Sequence, residues 1–337
     1  MKMYKILFIN SMILGTLITM SAYSWMSMWM GLEINLLSII PLMNKHKNIY
    51  PSESAMKYFI TQTMASSIML FSIIMMSNKS EFIPQNLDFT FLLMMNSAIL
   101  TKMGAAPFHF WFPEVMEGLN WFNCFLILTW QKIAPMIIFM YNCNMMIFTS
   151  WIIIISSMIS SILGLNQISL RKILTYSSIN HISWMLASML NSQMIWIIYF
   201  LTYFIISFNI ITIFYMWNIY YINQLINMMN YNMMIKLTFN LNFLSLGGLP
   251  PFLGFLPKWM TIHNLISNNF YMISLILIIF TLITLFYYLR IMFSSLLILN
   301  KENIKYPNSY LNNFFLFFSN LISLSGLVIC TQIFSFY

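Results

Sequence analysis

Apolar runs of about 18 residues or more recur along this chain from near its first residue to near its last, separated by short polar connections. Each such run is long enough to cross a hydrocarbon core of ~30 Å. No polar stretch remains from which a water-facing domain could be built. Composition agrees: 7% of the 337 residues are charged and 60% are apolar, against about 25% charged in an ordinary soluble domain. Lipid leaves unpaired backbone groups without partners, so the spanning segments must be helices.

Eleven spans are expected, at 4–21, 24–43, 55–77, 88–119 (interrupted), 122–144, 148–166, 172–190, 193–222, 237–267 (interrupted), 271–297 and 312–335. The first could pass for a signal peptide, but a second apolar span follows almost at once, so it is read as a retained helix. Eleven crossings put successive loops on alternating sides. Lys2, Lys5, Lys45, Lys47, Lys57, Arg171, Lys172, Lys236, Arg290, Lys301 and Lys305 then share the side of the N-terminus, and only Lys79 falls opposite. That asymmetry places the N-terminus on the side of synthesis.

The formal net charge of +8 therefore has a topological origin. The basic residues form no stripe of the kind that grips nucleic acid, and no nucleic-acid partner is expected. Cys124, Cys143 and Cys330 lie in apolar runs with no metal-ligand spacing, which points to inert thiols rather than to a disulfide or metal site. No glycine-rich nucleotide loop, cysteine cluster or nucleophilic triad occurs, so no cofactor is expected on this chain.

Two spans carry matching breaks. Gly104, Pro107, Phe108 and Pro113 recur at identical spacing as Gly248, Pro251, Phe252 and Pro257, and a charged residue follows the last proline in each, Glu114 and Lys258. Proline removes a helix hydrogen bond and clashes with the preceding turn, so each segment should split into two half-helices. Five spans separate them, and an odd offset reverses the direction of crossing. The pattern is that of an inverted-repeat transporter whose pathway runs near the breaks. Repeats of about 1–144 and 148–297 within one transmembrane domain are expected, followed by a C-terminal helix at 312–335.

Four ionisable residues fall inside spans: Glu33, Lys102, Lys132 and Lys258. A charge at a helix centre costs about 2.5–3.5 kcal/mol on insertion scales, so these are the candidate site residues. Loss of water disfavours an ammonium and a nearby carboxylate favours it. Opening and closing a Glu33–Lys102 pair would therefore swing the proton affinity of Lys102. Lys132, with no acid within a helical turn, could receive the proton, and Lys258 opens the second half of its own broken span. His109, just after the first break, and His181, mid-span, are second-rank relay candidates.

The stretches Trp29-Met-Gly-Leu-Glu33-Ile-Asn-Leu-Leu-Ser, Thr101-Lys102-Met-Gly-Ala-Ala-Pro-Phe-His109-Phe-Trp-Phe-Pro-Glu114-Val, Leu128-Thr-Trp-Gln-Lys132-Ile-Ala-Pro and Gly247-Gly-Leu-Pro-Pro-Phe-Leu-Gly-Phe-Leu-Pro-Lys258-Trp carry a resemblance. Over essentially its whole length the chain resembles the antiporter-like membrane-arm subunits of mitochondrial NADH–ubiquinone oxidoreductase (respiratory complex I), in an insect-like version. The resemblance implies a proton-translocating subunit of the inner membrane with its N-terminus in the matrix. Glu33 would be the coupling glutamate, Lys102 its paired lysine, Lys132 the central-axis lysine and Lys258 the lysine of the second broken helix.

It further implies that NADH, FMN, iron–sulfur clusters and ubiquinone belong to other subunits. Partners would be the other membrane-arm and accessory subunits, together with membrane phospholipids. The seventh span carries no acid equivalent to Glu33; His181 is its titratable group. From the residues themselves, a free-standing cation/proton antiporter and a structural subunit with no proton path of its own remain alternatives.

Overall fold

The computed structural model describes residues 3–44, 49–77, 85–143, 145–229, 233–297, 320, 321 and 326. They fall into two units, Met1–Thr149 and Ser150–Tyr337. The first holds α1 (Met3–Ser21), α2 (Trp25–Met43), α3 (Ile49–Ser77), α4 (Gln85–Met103), α5 (Trp111–Gly118), α6 (Trp121–Leu128) and α7 (Trp130–Tyr141). Then come α8 (Met146–Leu165), which begins just before the boundary, α9 (Leu170–Met189), α10 (Gln193–Trp217), α11 (Ile222–Met229), α12 (Met233–Gly247), α13 (Phe255–Ser267) and α14 (Tyr271–Leu297). The described residues form an all-helical membrane fold, as the hydropathy requires.

Among the described residues seven segments are long and apolar enough to span by themselves: α1, α2, α3, α6 with α7, α8, α10 and α14. Each expected span up to residue 297 overlaps one or two of the fourteen helices of the described residues. The expected span at 312–335 lies outside the described residues, apart from positions 320, 321 and 326.

Both expected breaks are present, between α4 and α5 and between α12 and α13. Their hydrogen bonding is alike. The amide of Gly104 bonds back to the carbonyl of Thr101 and that of Ala105 to Leu100, at 3.2 and 3.1 Å; Gly248 bonds to Ser245 and Leu249 to Leu244, at 3.0 and 3.3 Å. These paired bonds are a Schellman ending, in which the residue past the helix turns left-handed. Gly104 and Gly248 have φ of 75° and 78°, a region that costs a side chain about 1–2 kcal/mol. Glycine at each break thus stops the first half-helix, and the prolines beyond keep it from resuming. Both breaks also contain a cis peptide, at Ala106–Pro107 and Pro250–Pro251. Trp111 Nε1 reaches back from α5 to the Thr101 carbonyl at 3.1 Å and ties the two halves together.

A third interruption is absent from the sequence reading of 122–144 as one helix. The chain parts at Thr129, φ −119° and ψ −69°, whose hydroxyl bonds to the Phe125 carbonyl at 2.7 Å. The Lys132 amide then bonds only three residues back, to Thr129, at 3.2 Å. Likewise 193–222 is not one helix: α10 stops at Trp217, Asn218 turns left-handed with φ 49°, and α11 is separate.

Packing within the first unit depends on small residues. A Cβ on Gly31 would lie 2.5 Å from Cγ2 of Thr19 and 2.9 Å from the carbonyl oxygen of Gly15. Helices α1 and α2 therefore touch backbone to backbone, the contact that small residues permit in membranes. In the second unit α9 is enclosed by α10, α13 and α14, and every residue from Ile173 to Met189 is buried. Its serines, Asn180 and His181 thus face protein and not lipid, as polar groups at membrane depth must.

Candidate functional site

In the first unit, Lys102 occupies the last turn of α4, next to the break, and Glu33 lies midway along α2. Nζ of Lys102 sits 3.7 Å from Oε1 of Glu33; the lysine side chain is 4% exposed and the glutamate 21%. The Schellman ending accounts for the carbonyls of Leu100 and Thr101, so the ammonium also sits at the carbonyl-rich end of a half-helix, where positive charge is favoured.

Beside this pair is a cavity of ≈ 10 Å³ walled by Lys102, Asn35, Tyr58, Gln62 and Gln131 among others, about the size that admits one water. Gln131 Nε2 donates to Asn35 Oδ1 at 2.8 Å, and the Tyr58 hydroxyl donates to Gln131 Oε1 at 3.4 Å. Sequence reasoning missed these groups. Neutral amides carry no insertion penalty large enough to single them out, and Asn35 and Gln131 are 96 residues apart.

Lys132 follows Gln131 on α7 and is buried. Its ammonium lies 5.4 Å from the centroid of the Phe112 ring, within reach of a cation–π attraction. Phe112 is in turn pressed against the first break: a Cβ on Gly104 would approach its Cδ1 to 3.0 Å. His109 lies inside the break and is buried, with Nδ1 3.3 Å from the Pro107 carbonyl. Glu114 is exposed on α5 and pairs with Lys57 at 3.0 Å, as does Glu53 at 3.1 Å.

In the second unit, the position matching Glu114 is Lys258, and it does something different. Its Nζ donates to the carbonyls of Gly247 at 2.8 Å and Leu246 at 3.3 Å. A helix leaves its last four carbonyls unbonded. The Schellman bonds take Leu244 and Ser245, and Lys258 takes the next two. Its partners are backbone oxygens, which leave no mark in residue identity. The ammonium is also 5.8 Å from the Trp184 ring on α9. One turn earlier on α9, His181 is buried, with Nδ1 2.9 Å from the Tyr199 hydroxyl.

Lys102 and Glu33 are thus brought together, Lys132 is held on the same unit over Phe112, and Lys258 of α13 lies by the ring of Trp184, which follows His181 by one turn on α9. Among the described residues no group of three or more His, Cys, Asp or Glu could hold a metal ion.

Fold and site together define a multi-span helical membrane protein with ionisable side chains gathered at discontinuous helices. The family described as NADH:quinone oxidoreductase/Mrp antiporter, TM, matches residues 22–284. NADH-ubiquinone oxidoreductase chain 2 of Anopheles gambiae is 48% identical over 335 residues, covering 97% of each chain. The protein of the same name from Aedes aegypti is 50% identical over 332 residues, again covering 97% of each. Among solved structures, a chain of respiratory complex I from Thermus thermophilus has the same fold at a TM-score of 0.87, with 19% identity, covering 98% of this chain and 79% of that one. The chain belongs to the NADH-ubiquinone oxidoreductase chain 2 family.

Proposed function

We propose that this chain is the antiporter-like, proton-translocating chain 2 of a mitochondrial NADH:ubiquinone oxidoreductase. It would lie in the inner membrane with its N-terminus in the matrix, among other membrane-arm subunits and phospholipids. NADH, FMN, iron–sulfur clusters and ubiquinone would act in those other subunits, and this chain would contribute the proton path. The observation that carries the reading is the Lys102–Glu33 ion pair at 3.7 Å, nearly out of reach of water at the end of a broken helix.

In this mechanism the carboxylate holds the Lys102 ammonium charged. A charge moving in a neighbouring subunit draws Glu33 away, and Lys102 then releases its proton. The cavity beside it offers a water-sized step toward α7, where Lys132 accepts. His109, buried in the break, is a secondary relay group. Lys258 and His181 serve the second unit, in which fixed carbonyl dipoles replace the carboxylate. The matching breaks support an inverted repeat of about 1–144 and 148–297.

The test is Lys132→Met in the assembled complex, measuring protons translocated per NADH oxidised in sealed vesicles. A reduced ratio with normal assembly is expected. Full pumping by an assembled Lys132→Met complex would overturn the mechanism.

A further inference from the structure

One large side chain beside Lys258 has no task in the proton path just described. Trp184 on α9 is 1% exposed and is among the largest fully buried side chains of the described residues. A buried tryptophan usually places its indole N–H on an acceptor. Here Nε1 is buried and bonds to no acceptor among the described residues. A buried donor left unpaired is unfavourable, whereas leucine, methionine or phenylalanine would fill space without that cost. Neither a hydrogen bond nor packing alone accounts for the indole.

What the indole does have is the Lys258 ammonium over its ring, 5.8 Å from the centroid. That lies within the range of a cation–π attraction, for which tryptophan offers the strongest face, the more so where water is excluded. The ammonium's other contacts are the carbonyls of Gly247 at 2.8 Å and Leu246 at 3.3 Å. Ring, carbonyls and lysine come from α9, α12 and α13, so three helices converge on one charge. Lys132 over Phe112 at 5.4 Å is the same pairing with a weaker face.

The second unit has little else with which to hold a cation. No Asp or Glu occurs from residue 118 to residue 301. The buried titratable groups on the helices packed against α13 are Tyr176 and His181 on α9, Tyr199 and Tyr203 on α10, and Tyr287 and Tyr288 on α14. Tyr199 bonds to His181, and the Tyr203 ring packs on the imidazole at a centroid distance of 5.0 Å. The charged groups are Arg171 and Lys172 on α9, Lys236 on α12 and Arg290 on α14. Arg171 lies over the Tyr220 ring at 4.6 Å, and Arg290 bonds to the Leu165 and Gln167 carbonyls. Among the described residues none of these groups hydrogen-bonds or ion-pairs with Lys258.

We propose that Trp184 is a positioning residue for Lys258: its indole face, with the carbonyls of Leu246 and Gly247, seats the ammonium in place of a carboxylate. This rests on the proton-translocating function proposed above. The seat differs from an ion pair in what remains once the proton has gone. A carboxylate left alone in a buried setting is costly, whereas a ring and two carbonyls are neutral in either state of the lysine. Lys258 can thus lose and regain its proton without a second charge having to move. The ring favours the ammonium over the amine, so removing it lets Lys258 lose its proton at lower pH.

The test replaces the indole with apolar side chains: Trp184→Leu and Trp184→Phe in the assembled complex, beside Lys132→Met. Protons translocated per NADH oxidised are read in sealed vesicles across a range of pH. Trp184→Leu is expected to assemble and to lose pumping at lower pH than the unmodified complex. A midpoint lower by about one pH unit corresponds to a roughly tenfold weaker hold on the proton. Trp184→Phe should fall between the two, because its face is the weaker one. A packing role would lower pumping alike at every pH, so a uniform loss with the midpoint unmoved overturns the seat, and so does an unchanged profile. With Lys132→Met impaired, either result leaves the proposed function standing; full pumping in all three variants overturns both. Should neither Trp184 variant assemble, ultraviolet resonance Raman spectra of the unmodified complex decide. A tryptophan band that moves over the pH range where pumping fails supports the seat, and tryptophan bands silent throughout overturn it.

Discussion

A Cβ on Gly248 would stand 2.6 Å from Cδ of Lys258, so the residue that ends α12 is also the one that leaves room for the ammonium above its carbonyls. Two demands meet at this glycine. Its φ of 78° excludes most side chains, and its missing Cβ makes space for the lysine stem. Gly248→Ala should therefore destabilise by more than the ~1–2 kcal/mol of left-handed backbone alone, and displace Lys258 from Leu246 and Gly247. Thermal inactivation of the assembled complex checks the first effect. Protons pumped per NADH check the second, and both should fall.

Glu33→Gln leaves the Lys102 ammonium without its counter-charge. Removing one member of a well-buried pair costs about 3–5 kcal/mol. The 21% exposure of the glutamate side chain reduces this to on the order of 1–3 kcal/mol. Adding Lys102→Met to Glu33→Gln should recover part of that stability but none of the pumping. A double variant no more stable than either single one would contradict the pairing.

Asn35 and Gln131 satisfy each other across the cavity wall. Gln131→Leu strands the Asn35 amide in a buried setting, at a cost of about 1–3 kcal/mol. Asn35→Leu does the reverse. Because the two share one hydrogen bond, the double substitution should cost clearly less than the sum of the singles. Additive losses in melting experiments would mean that the 2.8 Å contact contributes little.

Gly31→Val would force α1 away from α2, since a single added carbon already meets Thr19 and the Gly15 backbone. Overpacking of this kind costs about 1–3 kcal/mol. Glu33 and Asn35 lie within one turn of Gly31, so pumping should fall together with assembly. Gly247→Ala, whose Cβ would find nothing nearer than 3.5 Å, is the matched control and should leave both nearly unchanged.

How much of this was legible beforehand depended on whether a residue was conspicuous in lipid. Glu33, Lys102, Lys132 and Lys258 stood out because charge is expensive there, and the helix breaks stood out because proline and glycine act locally. The break at Thr129 had no such marker; it shows itself only in a tightened turn ahead of Lys132. The carbonyl partners of Lys258 were invisible because every residue carries a carbonyl. Asn35, Gln131 and the tyrosines around His181 passed as ordinary interior residues, since their meaning comes from helices far apart in the chain. The His181–Tyr199 contact joins α9 to α10, and nothing in either stretch alone announces it.

The enclosure of α9 bears on how the chain reaches the membrane. With its serines, Asn180 and His181, α9 is not among the segments apolar enough to span alone, and lipid would be a poor host for it. Yet α10, α13 and α14, which surround it, are all translated later. During biogenesis α9 must therefore wait in the insertion machinery or at the bilayer interface until those helices arrive. A chain truncated before α13 would hold a polar helix with no protein sheath, and should be a substrate for membrane quality control rather than for assembly.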